Sequence, residues 1–150
     1  MSDVQDKVGA WLIKFFEADD SLDISKLEKY IDSDVIQTVG NGAVSKGKEQ
    51  VIKGFQSSFA TLDILKHDIE FWDVAGNRVW TRLNVTHVLK ADPEKQRRVV
   101  RAHAVFTIEE DPTTEYRIRE MYICVDLSPV TQRFAELGVD LEALGMMSKT

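Results

Sequence analysis

The pattern of hydrophobic and polar positions divides this chain into a helical first part and a strand-rich second part. In the first part, apolar residues recur at helical spacing on one face, at Val4, Val8, Trp11, Leu12, Phe15 and Phe16. This spacing predicts a first helix that ends at Asp19-Asp20-Ser21. Similar patterns predict a second helix from Ser21 to about Ile31 and a third from Ser45 or Gly47 to about Thr61. A short strand, Val35–Val39, lies between the second and third helices.

Four strand-like segments follow one another in the second part, separated only by short polar turns. They are His67–Ala75, Arg78–Lys90, Arg97–Glu109 and Tyr116–Asp126. Helices followed by such a meander predict an α+β fold, with three N-terminal helices packed on a curved antiparallel sheet. Ser128-Pro129 has the form of a helix start, and an apolar stripe continues to Leu144. We therefore expect one domain over residues 1–150, with 128–150 as a C-terminal helical extension that docks on the fold or on a partner subunit.

Composition restricts the classes of function. With 43% hydrophobic and 29% charged residues, the chain of 150 residues has the makeup of a globular domain with a core. Its net charge of −6 argues against nucleic acid as a partner, because phosphate binding requires a basic face. The chain shows no export signal and no apolar stretch of membrane-spanning length, and Cys124 is its only cysteine. We therefore expect a cytoplasmic protein with no membrane partner and no internal disulfide.

Three short segments, taken with the order of the elements, resemble the NTF2-like or SnoaL-like superfamily over about residues 4–127. The segments are Tyr30-Ile31-Asp32-Ser33-Asp34-Val35, Gly47-Lys48-Glu49-Gln50-Val51-Ile52 and Gly76-Asn77-Arg78-Val79. The resemblance implies a cone-shaped sheet around a largely apolar pocket, and homodimers that pack sheet to sheet. It does not identify the reaction, because isomerases, cyclases, dehydratases, epoxide hydrolases and non-enzymatic binders share this fold.

The catalytic side chains of two well-known branches of this superfamily are missing from the matching positions. Ketosteroid-isomerase-like members carry a tyrosine and two acids where this chain has Leu12, Thr38 and Ala104. Limonene-epoxide-hydrolase-like members carry an arginine and two aspartates where this chain has Leu83, Val85 and Ile123. Neither of these reactions is therefore favoured.

Strand alternation predicts which side chains face the pocket. Successive residues point to opposite faces, so we place the more apolar set of each strand on the concave side. On the short strand, Ile36 and Thr38 are expected to point inward. The predicted ligand-binding residues, facing the pocket or its rim, are Tyr30, Thr81, Leu83, Val85, Phe106, Arg119, Met121 and Ile123.

Three polar residues are candidates for catalysis. His87 is the first, because a histidine exchanges protons near neutral pH, and Thr38 and His67 are candidates to orient a substrate. The alternative for His87 is a hydrogen-bonded, inert histidine at a strand end, since no acid or base partner is visible beside it in sequence. The three histidines fall on three different strands, and no glycine-rich phosphate loop is present, so we predict no metal and no cofactor.

These observations leave two classes of function open. The first is a cofactor-independent isomerase or cyclase that acts on a hydrophobic small molecule in an apolar pocket. The alternative is a non-catalytic binder of small molecules, or a dimeric interaction protein of the same fold. The predicted outer face of the sheet carries Trp72, Trp80, Val105 and Tyr122, a composition typical of interfaces, so we expect a homodimer through this face.

Overall fold

The computed structural model of the protein describes residues 3–142. The elements are α1 (Asp3–Asp20), α2 (Ile24–Leu27) with a 3-10 turn (Glu28–Tyr30), β1 (Ile31–Val39), β2 (Val44–Lys46), α3 (Lys48–Phe59), β3 (Leu62–Ala75), β4 (Arg78–Leu89), β5 (Arg98–Asp111), β6 (Glu115–Val125) and α4 (Ser128–Glu136).

The strands form one six-stranded sheet in the order β2-β1-β6-β5-β4-β3. Strands β3 to β6 are the antiparallel meander expected from the sequence, and the α+β architecture is confirmed. Strand β1 joins β6 in parallel, so the sheet contains one parallel pair. The helices α1 and α3 cover the inner face of this sheet.

Aromatic side chains of α1 form the centre of the core. Trp11 stacks on Phe15 with ring centroids 5.7 Å apart, and its indole N–H donates to the carbonyl of Tyr116 at 2.9 Å. Phe15 in turn meets the ring of Phe106 on β5. Burial of each such side chain contributes roughly 1.5–3 kcal/mol, so α1 is held firmly against the sheet.

The second helix is shorter than predicted, and the strand after it is longer. Asp23 caps a single turn, Ile24–Leu27, and the chain is already extended at Ile31. The pairing of β1 with β6 shifts register between Ile31 and Ile36. The alternation of apolar and polar residues is therefore interrupted in the first half of β1, and only its second half was predicted as a strand. Strand β2 was not predicted, because its three residues are mostly exposed and carry little pattern.

Two irregularities in the meander reverse the face to which some residues point. A register shift between Ile69 and Phe71 makes Glu70 an extra residue in β3. Beyond it, Trp72 lies on the inner face under α1, and its indole N–H donates to the carbonyl of Gln5 at 3.2 Å. The placement of Trp72 on the outer face was therefore wrong, and Phe71 lies there instead.

A second shift, in the pairing of β5 with β6, affects Arg119. Thr107 pairs with Glu120 and Ile108 pairs with Ile118, so Arg119 is left between them as an extra residue. Its side chain is exposed and forms ion pairs with Glu109 and Asp32. The expectation that Arg119 faces the pocket was wrong for this reason.

Thr38 also points away from the pocket. Val35 on the same strand is fully buried, so its alternation partners Gln37 and Val39 share the inner face. Thr38 pairs with Tyr122, an exposed residue of the outer face. The inward placement of Thr38, and of Ile36 with it, is corrected.

The C-terminal segment docks on the domain. Val130 and Phe134 of α4 are buried in the core, and Arg133 forms a two-pronged pair with the buried Asp92 in the β4–β5 turn, at 2.6 and 2.9 Å. Residues 137–141 continue to pack on the core. The predicted contribution of Leu144 lies outside the described residues.

Candidate functional site

A cavity of about 580 Å³ lies between α3 and the inner face of the sheet. Its walls are largely apolar, and residues from β1, β3, β4, β5 and β6 all reach it because their alternate side chains point to this face. The apolar lining consists of Val39, Phe55, Phe59, Leu65, Val85, Val100, Ala102, Ile123, Val125 and Leu127. The volume falls within the range of small-molecule sites in proteins.

A buried carboxylate, Asp19, enters this cavity from the last turn of α1. The residue is 6% exposed, and its Oδ1 has no hydrogen-bond partner within the part of the chain that the structure describes. Burial raises the pKa of Asp19 to about 6, while nearby His67 opposes the rise and Asp20 adds to it. The carboxyl group therefore exchanges its proton close to neutral pH.

His67 lies beside Asp19 and is held from its other side. Its Nδ1 is 2.6 Å from Oδ1 of Asp20, and its backbone N–H donates to the same carboxylate at 3.0 Å. The ring stacks on Phe16 with centroids 4.8 Å apart. Because a carboxylate accepts, we assign the proton of the neutral ring to Nδ1. This leaves the lone pair of Nε2 directed towards Asp19, whose Oδ2 is 3.7 Å away.

His87 is the second imidazole at the cavity. On paired strands His67 lies opposite Val85 and Leu65 lies opposite His87, so the two histidines are diagonal neighbours on the inner face. Nδ1 of His87 is buried, and it has no hydrogen-bond partner among the described residues. Burial, with a smaller contribution from His67, lowers the pKa of His87 to about 4. The ring is therefore neutral at pH 7.

Polar side chains from α3 and β1 supplement this cluster. Lys53, Ser57 and Ser58 line the cavity from α3, and Gln37 lines it from β1. The ammonium of Lys53 is largely exposed and lies 3.2 Å from Glu49, one helical turn away. The cavity thus combines an apolar interior with an acid, two imidazoles and a polar border.

The structure brings together four of the residues proposed from the sequence. His67, His87, Val85 and Ile123 line the cavity. Four others are buried in the core beside it, namely Tyr30, Leu83, Phe106 and Met121. Thr81 is also buried, and its hydroxyl donates to the carbonyl of Ala104 at 3.0 Å, which leaves it satisfied without a ligand.

Asp19 is a titratable group of the cavity that was not predicted from the sequence. Asp19 and Asp20 were interpreted only as the end of α1. Acidic residues at the C-terminal end of a helix meet the negative end of its dipole, which is an unfavourable position. Two carboxylates in that position were a signal of a role beyond helix termination.

Metal binding and membrane insertion would each require a recognisable arrangement within residues 3–142. Within this range, no group of three or more His, Cys, Asp or Glu side chains is arranged to hold a metal ion. None of the helices there combines the length and the apolar character that crossing a membrane requires.

Comparison with known proteins gives consistent results for family and fold. A family model described as a SnoaL-like domain matches residues 12–116. The fold is similar to that of a proposed SnoaL-like polyketide cyclase from Shewanella denitrificans OS-217, with 16% identity and a TM-score of 0.69 over 90% of this chain and 99% of that chain. A search of curated proteins returned no match.

Two further solved structures show the same likeness. A proposed SnoaL-like polyketide cyclase from Jannaschia sp. CCS1 has 16% identity and a TM-score of 0.71 over 88% of this chain and 94% of that chain. AclR, a proposed hydroxylase from Streptomyces galilaeus, has 16% identity and a TM-score of 0.70 over 89% of this chain and 97% of that chain. At these identities the structures establish the NTF2-like fold alone. The family model covers more than half of the 150 residues, and on this basis the chain belongs to the SnoaL-like family.

Proposed function

We propose that the protein is a cofactor-independent isomerase or cyclase that moves a proton on a hydrophobic small molecule held in this cavity. The observation that carries the proposal is the meeting of a buried carboxylate, Asp19, with two imidazoles, His67 and His87, at one apolar cavity. Groups whose environments move their pKa values in opposite directions are typical of acid–base sites.

Asp19 is the proposed general base. An ionised carboxylate away from water is a stronger base than one at a surface, and a pKa near 6 matches proton exchange at neutral pH. In this role Asp19 takes a proton from a substrate carbon next to a carbonyl group. Asp20 fixes the proton of His67 on Nδ1, so Nε2 can accept the proton from Asp19 afterwards.

His87 is proposed to act on the substrate oxygen, not on the carbon. Because its pKa is held near 4, the neutral ring is a weak base at pH 7 and is poorly suited to abstract a proton. A neutral imidazole can donate a hydrogen bond to an oxygen that gains negative charge as the proton leaves carbon. This replaces the role of proton carrier proposed for His87 from the sequence.

The walls of the cavity support a substrate class. Ten apolar side chains from α3, β1, β3 to β6 and the residue before α4 surround the polar cluster, so the cavity favours a hydrophobic ring compound with a small number of oxygens. The likeness to proposed polyketide cyclases is in keeping with substrates of this kind. Closure of a ring by an enolate, or migration of a double bond, both begin with the proton transfer described above.

Hydrogen exchange tests the proposal without knowledge of the natural substrate. A panel of hydrophobic cyclic ketones and 1,3-diketones is incubated in D₂O, and loss of the hydrogens next to the carbonyl is followed by NMR. We expect the wild type to accelerate exchange for members that fit, and Asp19→Asn to slow it by about 100-fold or more. Asp73→Asn, which changes an exposed carboxylate on β3, is the matched control and should exchange as the wild type does.

A binding role is the second candidate, favoured by the lack of the catalytic side chains of both well-known branches at the matching positions. Under this alternative the wild type binds members of the panel but accelerates no exchange, and Asp19→Asn binds equally well. Full exchange activity in Asp19→Asn would instead show that another group is the base.

A further inference from the structure

His67 separates two openings of the molecule. One side of its ring faces the cavity, and the other faces a surface groove of about 290 Å³ between α1 and β3. Asp19 lines the cavity but not the groove, Asp20 lines the groove but not the cavity, and His67 lines both. Two carboxylates on neighbouring positions of α1 thus reach opposite sides of one imidazole.

The contacts suit a chain of proton transfers. Nδ1 of His67 is 2.6 Å from Oδ1 of Asp20, and Nε2 is 3.7 Å from Oδ2 of Asp19. The first distance is that of a direct hydrogen bond, and a small rotation of either side chain closes the second. Stacking on Phe16 and the backbone hydrogen bond to Asp20 hold the ring between the two acids.

We propose that His67 and Asp20 form a path by which the substrate proton reaches solvent through the groove, away from the ligand cavity. The inference rests on the function proposed above, with Asp19 as the base. Asp19 passes the proton to Nε2 of His67, the imidazolium releases its Nδ1 proton to Asp20, and Asp20 releases it to water in the groove. When the product takes up its proton, each transfer runs in reverse, so the ring returns to its starting tautomer and no net charge remains.

The surroundings of Asp20 are consistent with release on this side. The Nζ of Lys66 is 3.5 Å from Oδ2 of Asp20, and Glu17 lines the same groove. A bound substrate would fill the cavity and displace water from Asp19. The groove stays open under these conditions, since the imidazole and the ring of Phe16 stand between the two spaces.

The path is tested by hydrogen exchange of the His67 ring. In ¹⁵N-histidine-labelled protein, the rate at which the Nδ1 proton exchanges with water is measured by NMR. We expect Asp20→Asn, which can still form a hydrogen bond but cannot accept and release a proton, to slow this exchange about tenfold or more. Glu17→Gln, in the same groove but with no hydrogen bond or ion pair to His67 among the described residues, should stay within about twofold. Equal exchange in the wild type and Asp20→Asn would overturn the proposal.

A second variant leaves the acid–imidazole pair in place. Ile13 is exposed at the border of the groove, and Ile13→Phe should narrow the opening and slow ring exchange in the same direction.

With an α-deuterated ketone turned over in H₂O, Asp20→Asn should also retain more deuterium in the product than the wild type does. Unchanged ring exchange in Ile13→Phe, or unchanged deuterium retention in Asp20→Asn, would contradict the path. Ring exchange requires no turnover, so it still tests the path if the wild type proves inactive on every ketone.

Discussion

At the scale of single residues, Asp19 and His87 are buried groups whose titration is shifted in opposite directions. Folding raises the pKa of Asp19 from 3.8 to about 6, so between these values the folded state binds more protons and stability falls as pH rises. Folding lowers the pKa of His87 from 6.5 to about 4, so over the corresponding window stability rises with pH. Between about pH 4.5 and 6 the two contributions oppose each other.

Single variants should separate the contributions of Asp19 and His87 to the pH dependence of the free energy of unfolding. In Asp19→Asn the contribution of His87 remains, and we expect the free energy of unfolding to rise with pH by up to about 1.4 kcal/mol per unit relative to the wild type. In His87→Gln the contribution of Asp19 remains, and the slope should change by a similar amount in the opposite direction. Urea unfolding from pH 4.5 to 6.5 measures both. Identical slopes in all three proteins would show that neither group is shifted.

Part of the site was accessible to sequence reasoning. The histidines and Val85 could be placed because strand alternation is a local property. Asp19 could not be placed, because its role depends on contact with a strand far along the chain. The hydrogen bond that the backbone N–H of His67 donates to the adjacent Asp20 spans 47 residues. A helix end gives no indication of which strand it will meet.

At the scale of elements, α4 is fixed by an ion pair that has little access to solvent. Asp92 is fully buried and accepts from Arg133, which also approaches Glu94 and Glu136. The hydrogen bonds from Arg133 hold the pKa of Asp92 far below its usual range. Removal of one partner would leave the other charge buried without compensation.

Arg133→Met should therefore lower the melting temperature clearly, by several degrees or more. The expected cause is the unpaired carboxylate of Asp92, since methionine retains much of the apolar stem. Glu94→Gln removes the most exposed member of the group and should leave the melting temperature nearly unchanged. Thermal unfolding followed by circular dichroism compares them. Equal stability of the two variants would mean that the pair does not hold α4.

Element order was predictable, but the bulges at Glu70 and Arg119 were not. The helical and strand periods of the sequence are strong, and they fixed the α+β order and the inner faces of β4 and β5. A bulge depends on how a strand fits the curvature of the whole sheet. Two features of the sequence break strict alternation at these bulges. They are the adjacent aromatics Phe71-Trp72 and the three-residue spacing of the buried Ile118 and Met121.

At the scale of the whole molecule, the outer face of the sheet carries a row of exposed apolar side chains. Trp80 and Tyr122 are 49% and 45% exposed, and both pair with Val105 between them. The exposed ring of Phe71 extends the row, with the guanidinium of Arg82 4.8 Å from its centroid. Aromatic residues with arginine on a surface are typical of interfaces.

We predict a homodimer through this row, with Phe71 in the place first assigned to Trp72. Trp80→Glu should dissociate it, because the carboxylate would be buried without a partner. Val4→Glu, an equivalent change at an exposed position of α1, should leave the assembly intact. Light scattering at micromolar concentration measures both. A wild-type mass equal to that of one chain would contradict the dimer.

The packing of Gly9 against Trp72 couples the start of α1 to the sheet, and Asp19 and Asp20 lie at the other end of the same helix. A methyl group at position 9 would lie 2.4 Å from the indole ring of Trp72, so either the indole or the helix would have to shift. Asp19 is ten residues further along the same helix, about 15 Å from Gly9. If the helix shifts, both carboxylates at its far end would move relative to His67. Gly9→Ala should therefore change the distances from Asp19 and Asp20 to His67, although position 9 does not line the cavity.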